Sequence, residues 1–172
     1  MEKLYDIKGY SIFDSDCISD EANVLEGQII LYEDNFFEGL VFDLKSSEKI
    51  DNLVSGVYYP DKAIELYEFL STGDRGVLNF HCKKSANGYE GKVEHSGPPG
   101  ERISGISRIV TQCSELSMED ADLKIKDLKD RIKNYTYFKI SQDHYIWYSL
   151  FNSYRDTLCN LDLGQNDDSK NK

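Results

Sequence analysis

Hydrophobic and polar positions change rhythm once along the chain, near residue 110. Before it, short apolar runs rich in β-branched and aromatic residues are broken by turn residues. Gln28-Ile29-Ile30-Leu31-Tyr32 and Leu40-Val41-Phe42-Asp43-Leu44 are of this kind, as are residues 54–59, 63–69, 76–82 and 103–110. Runs of this length bounded by Gly, Asp, Asn and Pro predict strands. Six within about 85 residues, with no helical period between them, predict an antiparallel sandwich.

Beyond Val110 the period lengthens. Ala121, Ile125, Leu128 and Ile132 fall at i, i+4, i+7 and i+11, one face of an α-helix. Asp120 with Lys124, Asp122 with Lys126 and Asp127 with Arg131 place an acid one turn before a base on the other faces. Ser117, three residues before Asp120, suits the N-cap. A second helix is expected from about Ser141, with Trp147, Phe151, Tyr154 and Leu158 along one side. Such an aromatic face either packs back onto the β domain or docks a protein partner or a second copy, because exposing it is costly in a monomer. The polar stretch from Gly164 to Lys172 is expected to fray.

Composition narrows the class. The 172 residues are 40% apolar and 12% aromatic, enough for a packed core. Against 20 basic residues stand 31 acidic ones, a formal charge of −11. A surface of that sign repels nucleic-acid phosphates and anionic lipid. No stretch approaches the roughly 20 apolar residues that cross a bilayer. Met1 to Asp6 lacks the apolar core of a signal peptide, so a cytoplasmic protein is expected. The densest acidity is in residues 1–26, with seven acids and two bases, read as a solvated acidic segment. The expected organisation is therefore that segment, a β domain over 27–111 and a helical extension over 112–172. Cys17, Cys82, Cys113 and Cys159 form no CxxC pair, and reduced thiols are the default.

Within the β domain the chain echoes itself. Leu31-Tyr32-Glu33 is matched by Leu66-Tyr67-Glu68, Gly39 before a strand by Gly76, and Val54-Ser55-Gly56-Val57 by Ile103-Ser104-Gly105-Ile106. Three echoes in one order suggest duplicated four-stranded units. In the first, Tyr32 precedes Gly39 by seven residues, and Gly39 is expected to take a positive φ with the Tyr32 ring against its bare backbone. Tyr32, Gly39 and, sixteen residues on, Ser55 resemble the Greek-key signature of the βγ-crystallins. The second unit departs from it, since Tyr67 to Gly76 is two residues too long. The resemblance covers residues 27–111 and implies a mainly β fold with an α extension: a sandwich of two Greek keys plus about two C-terminal helices.

It also implies calcium. Members of that family bind the ion through a loop of two Asp or Asn, any two residues, Ser or Thr, then Ser. Asp51-Asn52-Leu53-Val54-Ser55-Gly56 matches all but the last position. A hard cation takes six to eight oxygens, which Asp51, Asn52, Ser55 and the Leu53 carbonyl could supply in part. The resemblance brings Glu33 or Glu68 to the same site, and a second, decayed site would use Glu101 and Ser104.

Nothing points to catalysis. His81, His95 and His144 have no motif partner, and His81 and Cys82 should face opposite sides of a strand. No phosphate loop or nucleophile elbow is present. The functional expectation is a non-enzymatic, calcium-binding structural or stress-related protein. The alternatives are an interaction module using the C-terminal helices on an inert scaffold, and a toxin or protease inhibitor on a similar fold.

Overall fold

A computed structural model describes residues 1–13, 23–45, 47, 49–70, 76–96 and 102–138. Eight antiparallel strands follow one another: β1 Lys3–Phe13, β2 Asn23–Leu31, β3 Phe36–Asp43, β4 Asn52–Tyr59, β5 Ala63–Phe69, β6 Val77–Ser85, β7 Gly88–Ser96 and β8 Arg102–Cys113. Each pairs with the next, and β1 also pairs with β8, closing a barrel. One helix, α1 Met118–Phe138, follows. The chain is thus mainly β with a C-terminal helix, as expected. The order is that of an up-and-down barrel, without the Greek-key crossovers of the expected sandwich.

Two expectations give way to this closure. Residues 1–26 are not a separate solvated segment, because Lys3–Phe13 is the strand that seals the barrel and Asn23 opens β2. The echoes are not a duplication of units either. Leu31 closes β2 with Tyr32 just beyond it, while Leu66-Tyr67 lies within β5, three strands on and running the other way. Gly56 and Gly105 lie in β4 and β8, four strands apart. What they share is local: a Cβ at Gly56 would lie 1.9 Å from the Glu65 carbonyl oxygen, and one at Gly105 2.1 Å from that of Ile12. At both, the neighbouring strand comes too close for a side chain, as a tightly coiled barrel requires.

Alternation sorts each strand. Inward residues include Tyr5, Ile7 and Phe13 of β1, Ile29 of β2, Phe37 and Val41 of β3, Phe80 of β6 and Ile109 of β8, joined in one buried cluster. Outside, Leu4, Ile30, Phe36, Leu40, Leu53, Phe69 and Val77 form a second layer, covered by Ile125, Leu128, Ile132 and Tyr135 of α1. The apolar face read from sequence is the face α1 buries, and the Asp120 amide donates to Ser117 Oγ at 3.3 Å as the cap requires. Residues 139–172, with the expected second helix, lie outside the described residues.

The turns at one end are tight. Asn35 and Asp61 take φ of 65° and 67°, a left-handed conformation that Asn and Asp tolerate. Gly39 is not a positive-φ residue. It is held to glycine by the Gln28 carbonyl, 2.1 Å from where its Cβ would stand. The Tyr32 ring stacks on Phe36 instead, centroids 6.4 Å apart, and its hydroxyl donates to Glu38 Oε1 at 2.6 Å.

Candidate functional site

The predicted calcium ligands divide. Asn52 faces into the barrel, where its Nδ2 donates to Glu68 Oε1 at 3.1 Å. The others point elsewhere. Asp51 accepts a hydrogen bond from Arg131 of α1 at 3.1 Å. Leu53 is wholly buried in the outer layer, paired with Leu40 and Phe69. Ser55 Oγ donates to the Phe37 carbonyl at 3.3 Å. Glu33 meets the amino group of Met1, which lowers its pKa. Ser104 is exposed on β8, and Glu101 lies outside the described residues. The fold therefore gathers Asn52 with Glu68 and adds Asp43, which ends β3 on the same inner face opposite Leu25.

This mouth of the barrel is chemically distinctive. Glu68 is only 4% exposed. Burial pushes its carboxyl up to about 7; the Asn52 hydrogen bond opposes the rise and the Asp43 carboxylate adds to it. Near neutrality Glu68 is therefore half protonated, and the mouth offers two carboxyls and an amide. Those oxygens suit a hard cation, although the described residues contain no cluster of three or more His, Cys, Asp or Glu side chains placed to hold one.

The opposite end is sealed by tyrosines. Tyr58 OH shares hydrogen bonds with Tyr89 OH at 3.1 Å and Thr111 Oγ1 at 2.7 Å, and the Asp61 amide donates to Tyr89 OH at 3.0 Å. Tyr5 stands edge-on to Tyr58, centroids 5.3 Å apart. Burial raises the Tyr58 hydroxyl far above its ordinary range. Cys82, also inward, shares a 3.1 Å contact with Ser107 Oγ, and burial raises its thiol, the reverse of what a nucleophile needs.

One polar constellation went unread in the sequence. Glu65 and His81 are cross-strand partners on the outer wall, and His81 Nδ1 bonds Glu65 Oε2. Tyr67 OH donates to the other carboxylate oxygen at 3.2 Å, and burial followed by the Glu65 charge raises its pKa. The carboxylate orients the imidazole, whose side chain is 52% exposed. That is half of an acid–base relay, but Cys82 turns inward, so no Cys–His dyad forms. Only strand register, which has no local signal, brings Glu65 to His81.

Among the described residues, grooves score the outer surface in at least two places. One, about 570 Å³, runs beside α1, and its charges are already paired: Asp51 with Arg131, Asp6 with Gln28 and Lys8 with Glu26. Another, about 530 Å³, crosses β7, β8 and β1 between Arg108 and Ile106. No protein-family model matches the sequence, and comparison with the curated proteins and with the solved structures returns no match. No helix among the described residues is long and apolar enough to cross a membrane.

Proposed function

We propose that this chain is a non-enzymatic interaction module, a filled barrel braced by α1 that presents one wall to a protein partner. The observation that carries the reading is the concentration of exposed branched apolar residues there: Ile106 is 64% exposed, and Ile12 and Val110 40% each. Ile12 and Ile106 are direct cross-strand partners, so they form a patch and not scattered surface residues. The interior cluster supports it too, since aromatic and aliphatic side chains occupy the space where a ligand-binding barrel keeps its cavity. A photo-crosslinking residue at position 106 tests the reading, with position 124 on the exposed side of α1 as control. Protein adducts, identified by mass spectrometry, should form at 106 and not at 124. Equal yields at the two positions would refute it.

A second reading has its own support. Asp43, Asn52 and Glu68 converge on the barrel mouth and could take a calcium ion that neutralises both carboxylates. The βγ-crystallin resemblance belongs to this reading and rests on the spacing of Tyr32, Gly39 and Ser55. A ligand present at a hundredfold its dissociation constant stabilises the native state by about 2.7 kcal/mol. Melting at pH 8 in millimolar calcium should therefore shift upward relative to chelator. Coincident midpoints would remove calcium from the account.

A further inference from the structure

We infer that the wall formed by β7, β8 and the second half of β1 is a self-association surface, seating a second copy of this chain about a twofold axis. The inference rests on the interaction reading above and names its partner. Outward side chains on this wall fall into two cross-strand rows. Glu90, Arg108 and Tyr10 form one, and Lys92, Ile106 and Ile12 the next. Between them the backbone of Gly91, Ser107 and Ser11 floors the groove of about 530 Å³.

A knob and a slot thus lie side by side on one molecule. Ile106 is the most exposed large apolar residue of the described strands, and the groove opens directly beside it. A half-turn about an axis lying in the contact plane, parallel to the strands and between β7 and β8, sets each Ile106 against the Lys92 stem of the other copy. The charges follow the same symmetry. Arg108 stands over the Tyr10 ring, its guanidinium carbon 4.7 Å from the centroid, and its Nε is buried with no hydrogen-bond partner among the described residues. Glu90, its cross-strand neighbour, is exposed. A twofold contact carries Arg108 toward the Glu90 of the second copy and Glu90 toward its Arg108.

A self-complementary pattern of this kind suits an isologous contact. A uniformly acidic or basic partner would meet a like charge at one end of the row. The wall is small, about three strands wide, which places it at the low end of specific interfaces. With a formal charge of −11 on each copy, long-range repulsion weakens the pair further. The dimer is therefore a weak one.

Sedimentation equilibrium of the full chain between about 5 and 500 µM reads this directly. The wild type should pass from monomer to dimer, and Ile106→Arg, Arg108→Glu and Glu90→Arg should each weaken association at least tenfold while keeping the wild-type circular dichroism spectrum. Mixing Arg108→Glu with Glu90→Arg should restore association, because each supplies the charge the other lacks at both contacts. A purely intramolecular role for these residues gives no rescue on mixing. A monomeric wild type, variants that associate like it, or a mixture no better than its components would each overturn the inference. A monomer that still crosslinks through position 106 to a different protein overturns the twofold pair and leaves the interaction module standing. A monomer whose position 106 links only to residues 139–172 of its own chain, or to nothing, overturns both.

Discussion

Replacing Glu68 by glutamine keeps the shape of the side chain and the oxygen that accepts from Asn52, and removes only the ability to ionise. In the folded chain this carboxyl is pushed up to about 7, against an ordinary 4.5 for a solvated glutamate. Because the folded value is the higher, folding favours the protonated form. Below pH 4.5 the acid is neutral in both states and imposes no penalty. Between 4.5 and about 7 the unfolded chain sheds the proton first, so stability falls as pH rises. Above 7 the full penalty persists. At roughly 1.36 kcal/mol per pH unit, the gap between 4.5 and about 7 corresponds to about 3 kcal/mol. Glu68→Gln should therefore match the wild type at pH 4 and exceed it by about 3 kcal/mol at pH 8.5. Urea denaturation at four or five pH values, compared as a difference between the two proteins, isolates this group because the other ionisable side chains cancel. The m-value should not change, since the same surface is exposed on unfolding. If the two stability curves run parallel from pH 4 to 8.5, Glu68 is solvated like a surface carboxylate and its burial at the barrel mouth is wrong.

Four further substitutions probe the rest of the architecture. Gly56→Ala drives a methyl group into the Glu65 carbonyl at 1.9 Å and should cost more than about 3 kcal/mol or prevent folding. Gly9→Ala meets only the Leu25 side chain, at 3.0 Å, and should cost less than half as much in the same denaturation assay. Leu128→Ala empties a position 1% exposed between α1 and the barrel and should cost about 2 to 4 kcal/mol, read from the shift in urea midpoint. Ser117→Ala removes the cap of α1 and should cost about 1 kcal/mol, with a small loss of helical circular dichroism.

Burial explains which strands announced themselves. β2, β3 and β4 are covered inside by the core and outside by α1, so Ile29-Ile30-Leu31, Leu40-Val41 and Leu53-Val54 read as continuous apolar runs. β1 and β7 each have a solvated stretch. Asp6 on the outer side of β1 adds to the acidity of residues 1–26 and Lys8 to their polarity, and Glu90, Lys92 and Glu94 mask the inward Tyr89 and Val93 of β7. The recurring glycines suggested duplication because a barrel repeats one steric demand, the close approach of a neighbouring strand, at several strands. Of the candidate site, Asn52 and Glu68 were both legible as oxygen donors. Their union follows from the β4–β5 register, Val54 opposite Glu68, which a local pattern does not encode. Asp43 entered the strand reading without being recognised as their neighbour.

Closure through β1 and β8 also dictates when the molecule can exist. The strand that begins at Lys3 has one of its two neighbours in Arg102–Cys113, about a hundred residues later in synthesis. On the ribosome β1 and β2 can form a hairpin early, but the free edge of β1 must wait until nearly the whole barrel has emerged. Contacts of such sequence separation slow folding, and an edge left open meanwhile is a template for misplaced strands from other nascent chains. α1 is made after β8, so its clamp over Leu40, Leu53 and Phe69 emerges later than every strand of the ring it braces.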